Sequence, residues 1–255
     1  MSSIPALRAP SAVRPVPVDE AVVAPPGQEP GGEAIVSVVG SDGAGKSTVS
    51  RLATERLVAA GARVERVDRW DIVGNAAYPT AQFIQPDVRH ARLCASQMPS
   101  TSRFLFLMWS MSLALSGRAS HGDSAGTLTL LDGYWMKHAA SEIVYGLDEV
   151  WVRDVVAGLP PSDQVVYLRV APAQAWERKK GRDVVPYECG MDPDCAQDSF
   201  LTHQRRILDI LDDWAGRFGW LTIDAGQPLD KVVAQVVSTA CEPPAAAVRL
   251  ARVGS

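Results

Sequence analysis

The chain has 255 residues, enough for one large α/β domain or two small ones, and with 47% hydrophobic and 21% charged residues it has the composition of an ordinary globular protein. A formal net charge of -4 excludes a general nucleic-acid binder, which needs a basic excess, but leaves room for local basic patches around an anionic ligand. The cysteines Cys94, Cys189, Cys195 and Cys241 are scattered, which suits a reducing cytoplasm better than a disulfide scaffold.

Residues 1–32 carry Pro5, Pro10, Pro15, Pro17, Pro25, Pro26 and Pro30 with almost no aromatic side chains. Such a stretch cannot bury enough apolar surface to offset its ordering entropy, and it reads as a disordered tail ahead of a domain spanning 33–245. Prolines and charges also interrupt any apolar core of a signal peptide there.

The pattern changes at Glu33. The run AIVSVV, Ala34 to Val39, is β-branched, ends at a glycine and predicts a buried parallel strand. A helix follows from Lys46 to about Ala60, stopped by Gly61, and then a second strand over Arg63 to Val67. Helices are expected over 87–97 and 101–118. The second contains FLFLMWSMSLAL, Phe104 to Leu115, which falls short of the about 20 residues a bilayer requires and reads as a buried helix.

Further strands are expected at Thr127–Leu131, Gln164–Leu168 and Trp220–Ile223, with helices over 172–180, 196–218 and from Pro228 to Cys241. Strands alternating with helices imply an α/β fold, a five-stranded parallel sheet flanked by helices.

Between the first strand and the first helix lies GSDGAGKS, Gly40 to Ser47, the pattern of a phosphate-binding P-loop. Gly40, Gly43 and Gly45 let the backbone turn tightly and approach phosphate oxygens closely, and the amides of the helix N-terminus donate to them. Lys46 is expected to reach the β- and γ-phosphates of ATP and the Ser47 hydroxyl to bind Mg2+. By chance alone the pattern arises in about 1% of chains this long, and its position between a strand and a helix is the one the chemistry requires.

Read with its neighbours, the segment from Ser41 through Asp42, Gly43, Ala44, Gly45, Lys46 and Ser47 to Thr48 resembles the P-loop of thymidylate kinases. Four later places agree in order. Arg69 follows the second strand, where the family has the arginine of its Arg-Glu-Pro motif. Phe106 falls on the position of a phenylalanine that stacks on thymine. Asp132, Gly133 and Tyr134 stand where the family has Asp-Arg-Tyr. The run from Ile223 to Pro228 matches the family's loop around the adenine of ATP, with Ala225 and Gln227 as its contacts.

The resemblance implies a P-loop NTPase fold and a cytoplasmic ATP- and Mg2+-dependent kinase. Its partner is a small nucleotide-like phosphate acceptor, dTMP by default, with neither nucleic acid nor membrane involved. Members with a plain Gly-Ala pair in the P-loop take their catalytic arginine from a lid, and Arg178 and Arg182 are the candidates here. Asp42 would meet the acceptor sugar, and Asp132 would hold a Mg2+ water or orient the acceptor. A homodimer through the apolar helices is also implied, although the stripe from Phe104 to Leu115 serves equally as internal core.

Two departures bear on the acceptor. Gly133 and Ser110 occupy positions where the family holds the acceptor phosphate with arginines. Arg103, Lys137 and Arg69 either replace them or are ordinary surface charges. The family's Tyr-Gln pair is Ser141 and Glu142, and an ionised Glu142 would recognise a base that presents donors. Arg169 also replaces a usual aspartate.

Cys189 and Cys195 lack a zinc-finger spacing, His90, His121 and His138 form no pattern, and Trp109, Trp135 and Trp151 read as packing. Three functions stay open: a nucleoside monophosphate kinase, a kinase acting on a hydroxyl with Asp132 or Asp42 as base, and a nucleotide-binding regulator. The basic lid cluster argues against the last.

Overall fold

The computed structural model describes residues 34–85, 87–118, 126–179 and 184–242. The proline-rich segment 1–32, His121 and Arg182 lie outside them.

The β-branched runs form five strands: β1 (Ala34–Val39), β2 (Val64–Val67), β3 (Leu128–Asp132), β4 (Gln164–Arg169) and β5 (Leu221–Asp224). They make one all-parallel sheet in the order β2-β3-β1-β4-β5, as the alternation of strands and helices predicts. The helices are α1 (Lys46–Ala59), α2 (Val88–Gln97), α3 (Ser100–Arg118), α4 (Trp135–Val144), α5 (Glu149–Val156), α6 (Pro172–Lys179), α7 (Gln197–Phe218) and α8 (Leu229–Cys241).

Successive strand side chains point to opposite faces, so one run of apolar residues feeds two cores. On one face Val36, Val38, Leu130, Val166 and Leu168 meet Ala53 of α1 and Val233 and Val236 of α8. On the other, Val39, Leu131 and Tyr167 meet Phe104 of α3, Ala139 of α4, Val152 of α5 and Ile207, Leu211 and Trp214 of α7.

The apolar stretch of α3 faces mostly inward through Phe104, Leu107, Met108, Met111, Ala114 and Leu115, leaving Leu105 and Trp109 exposed. Among the described residues no helix is long and apolar enough to cross a membrane.

Helices α4 and α5 are additions to the sequence reading. Every residue from Trp135 to Glu142 is buried, so α4 has no solvent face to generate an apolar-polar period. The short α5 starts on Asp148, whose side chain accepts from the Trp151 amide at 2.8 Å. At the other elements the boundaries differ from expectation by one or two residues, the ordinary scatter of frayed ends.

Candidate active site

The register of the sheet builds the site. Val38 on β1 pairs with Asp132 on β3, and the Gly133 amide donates to the Val38 carbonyl at 3.0 Å. The loops after these two strands, residues 40–45 and 133–134, therefore emerge side by side at the C-terminal edge of a parallel sheet, where such sheets place ligands.

The Gly40–Gly45 loop is bare backbone by necessity. A Cβ on Gly40 would sit 2.6 Å from the Leu168 carbonyl oxygen, and one on Gly43, whose φ is +80°, would sit 2.8 Å from that of Ala175. The loop opens into α1, whose first amides point into the same space. Lys46 folds over the loop, its Nζ donating to the carbonyls of Gly40 (2.9 Å) and Ser41 (2.8 Å). Burial pulls the Lys46 amine down to about 8, against the attraction of Asp42 and Asp132.

Asp132 is buried and accepts from Arg66 Nη1 at 2.7 Å, and the Ser47 hydroxyl lies close enough to influence its carboxylate. Burial and the nearby Asp68 carboxylate raise its pKa, and Ser47, Lys46 and Arg66 oppose that rise. Ser47 and Asp132, expected as a metal pair, are thus neighbours.

Two cavities flank the loop. One is lined by Gly43, Ala44, Gly45 and Thr48 together with Arg178, Ala225 and Gln227. Here Arg178, at the end of α6, donates to the carbonyls of Ala225 (2.5 Å) and Ala44 (3.4 Å), tying the loop after β5 to the phosphate loop. Lys179, also on this cavity, pairs with Glu188.

The other cavity is lined by Asp42, Lys46, Arg69, Trp70, Arg92, Tyr134, Lys137, His138, Tyr187 and Glu188, among others. Arg69 leans over Gly133: its Nη1 lies 4.0 Å from where a Cβ on that glycine would be. Tyr134 is buried, and its hydroxyl donates to the Pro160 carbonyl at 2.7 Å. His138 is 6% exposed with Nδ1 unpartnered, and burial beside Arg69 and Lys137 keeps its imidazole neutral, well below the usual histidine range.

Asp42 is held from two sides. Its Oδ2 lies 2.8 Å from Lys137 Nζ and accepts from Gln204 Nε2 at 3.2 Å. Burial would raise its pKa, but Lys137, Lys46 and Lys179 more than offset that and hold the carboxyl far below the ordinary carboxylate range.

Three residues named from the sequence are placed otherwise than their reading anticipates. Arg103 does line the acceptor-side cavity, but it is 1% exposed, and its guanidinium donates to both Glu142 oxygens (2.5 and 2.9 Å), to the carbonyls of Met98 and Ser96 and to Ser100. All its donor nitrogens are bonded within the fold. Glu142 is fully buried with both oxygens on Arg103, so neither of them is turned to a ligand. Phe106 is half-buried between Trp70 (6.3 Å) and Trp109 (5.9 Å), and it is Trp70 that reaches the cavity.

Sequence reading missed Trp70, Arg92, Tyr187 and Gln204, and set His138 aside. Trp70 adjoins Arg69 in sequence, which is the signal that marks it; Gln204 comes from α7, 162 residues away from its partner Asp42, and no local signal marks it.

No family model matches the chain. A curated relative, "Probable thymidylate kinase 2" of Saccharolobus solfataricus, is 31% identical over 116 residues, covering 42% of this chain and 54% of the relative. The chain thus matches about half the length of that relative, which supports a distant relationship to nucleotide kinases.

Proposed function

We propose that this chain is an ATP-dependent phosphotransferase that moves the γ-phosphate of ATP to a nucleoside monophosphate, dTMP by default. The observation that carries this reading is that both cavities share the phosphate loop. Asp42 and Lys46 border one cavity, while Gly43, Ala44, Gly45 and Thr48 border the other, so a donor and an acceptor bound on either side would meet at the phosphate loop. The distant likeness to a protein named as a probable thymidylate kinase points the same way.

The residues suit a magnesium-bound triphosphate. A loop that excludes any Cβ at Gly40 and Gly43, amides at the start of α1 and a lysine bonded only to carbonyls match an anionic phosphate chain. Ser47 and Asp132 would hold Mg2+, directly or through water, and Ala225 and Gln227 would border the adenine. When bound, Mg2+ neutralises charge developing on the transferred phosphoryl oxygens.

The chain's own part is positioning and charge. Lys46 would leave its two carbonyls for phosphate oxygens. Arg178 would turn from Ala225 and Ala44 toward the transferring group, with Arg182 as the second lid candidate. Asp42, Arg69 and Tyr134 border the acceptor. A phosphate acceptor is already nucleophilic at neutral pH, so no strong base is needed, and Asp132 serves as ligand rather than as base. A homodimer would use the outward Leu105 and Trp109 of α3 with Phe83, which packs 5.7 Å from Trp109; sedimentation tests this.

The function is tested by incubating the protein with Mg-ATP and a panel of nucleoside monophosphates, nucleosides and sugars, following ADP and product mass. Phosphorylation of dTMP or another monophosphate is expected, and Lys46→Ala should lower turnover at least about 100-fold. Turnover with hydroxyl acceptors alone would overturn the acceptor class, and nucleotide binding without transfer would overturn the kinase reading.

A further inference from the structure

This inference rests on the kinase reading and concerns what the acceptor cavity selects. Gly133 and Ser110 bring no cation to it, and Arg103 has every donor nitrogen engaged elsewhere. One turn of α4 beyond Gly133, however, stands Lys137. Its side chain is 7% exposed, and its ammonium lies 2.8 Å from Asp42 Oδ2 and 4.9 Å from the centre of the Tyr187 ring. An ammonium has three N–H donors, and a single carboxylate oxygen and a ring face leave it donor capacity at the cavity wall it forms.

Asp42 is itself fixed. Gln204, fully buried on α7, accepts from the Asp42 amide through Oε1 at 3.1 Å and donates through Nε2 to Asp42 Oδ2 at 3.2 Å. The same Nε2 donates to the Glu188 carbonyl at 2.9 Å. An amide bonded at both ends has one orientation, so α7 sets Asp42, and Asp42 sets Lys137.

The Lys137–Asp42 pair is neutral as a unit. Lys46, Arg69 and Arg92 line the same cavity with no carboxylate within ion-pair distance among the described residues, so the cavity is left with excess positive charge. An anion bound there meets net attraction, and Lys137 shares its donors between Asp42 and that anion.

We infer that Lys137 is the specificity-determining cation that selects a phosphate-bearing acceptor, in a cavity to which Gly133 and Ser110 bring no cation, and that Gln204 is a positioning residue acting through Asp42. Neither role follows from the phosphate loop alone. The pair comes from α4 and α7, and it couples the loop that holds the donor to the cavity that holds the acceptor.

The test compares the whole protein with Lys137→Gln, which keeps amide donors toward Asp42 while removing the charge, Lys137→Arg, which restores it, and Gln204→Leu. Calorimetry with thymidine monophosphate, with thymidine and with a non-hydrolysable ATP analogue reads binding apart from turnover. For Lys137→Gln the affinity for the monophosphate should fall about 10- to 100-fold, while that for thymidine and for the ATP analogue stays within about twofold. Lys137→Arg should recover most of the loss. Gln204→Leu should weaken monophosphate binding about fivefold, and adding it to Lys137→Gln should cost little more, because Gln204 acts on the phosphate only through Asp42 and Lys137.

Wild-type protein that neither binds nor phosphorylates any monophosphate overturns the functional reading and this inference with it. Wild type that binds the monophosphate, with a folded Lys137→Gln binding it equally well, overturns the inference alone. So does an equal loss of thymidine binding in that variant, which would mark Lys137 as structural.

Discussion

Lys46 shows how a single residue ties the fold to a measurable property. Burial pulls its amine down to about 8; Asp42 and Asp132 oppose this, and Lys137 and Arg69 add to it. An anionic phosphate chain binds the protonated amine and raises its pKa, so binding takes up a proton wherever free Lys46 is neutral. The sign is definite: affinity is flat below the free pKa and falls as pH rises through it. Affinity for a non-hydrolysable ATP analogue should be steady from pH ~7 to ~7.5 and weaken by up to about tenfold per unit above pH ~8.5. Titrations in buffers of different ionisation enthalpy should show uptake approaching one proton at the alkaline end. Lys46→Arg should bind without that dependence, and a flat profile in wild type would mean that the free amine is not depressed. Lys46 is legible in sequence because the phosphate loop is contiguous. The groups that tune it are not, since Lys137 and Asp132 reach it only through the packing of α4 and the register of β3 against β1.

Helix α3 carries a different lesson. When only its own helix is considered, Arg103 reads either as a ligand for phosphate or as an ordinary surface charge. In the fold Arg103 bridges three elements: Glu142 of α4, Ser100 in the first turn of α3, and the carbonyls of Ser96 and Met98 at the C-terminal end of α2. Tyr187 and Tyr145 cover the guanidinium, at 4.6 and 5.4 Å. None of those partners is visible from spacing within α3. The strands, by contrast, are legible as short apolar runs, and the three central ones, β1, β3 and β4, are buried along most of their length on both faces. Breaking this ion pair should be severe, since Arg103 and Glu142 are 1% and 0% exposed. Arg103→Met leaves a buried carboxylate alone and should lower the unfolding free energy by about 3–5 kcal/mol in urea melts. Adding Glu142→Leu should restore much of it, because the cost lies in the orphaned charge. A single variant as stable as wild type would show that the pair contributes nothing to holding α2, α3 and α4 together.

At the scale of the whole molecule, the sheet order β2-β3-β1-β4-β5 puts β1 at the centre and its phosphate loop between two cavities. Everything this arrangement needs begins with the first strand. Ala34 is already in register with Leu128 of β3, and the buried core starts at Val36. The composition of residues 1–32, with seven prolines, gives them little apolar surface to bury, so we propose that the folding unit starts near residue 33. Removing residues 1–32 should therefore leave the urea midpoint and slope of the remaining domain unchanged, within about 0.5 kcal/mol of unfolding free energy. Nucleotide affinity should also be preserved, because the first residue of the phosphate loop lies beyond the whole of β1. A loss above about 2 kcal/mol, or a lower slope indicating less surface exposed on unfolding, would show that the segment packs as part of the domain. Unchanged stability with weakened acceptor binding would give the segment a role at the cavity instead, and would move the functional boundary ahead of the folding one.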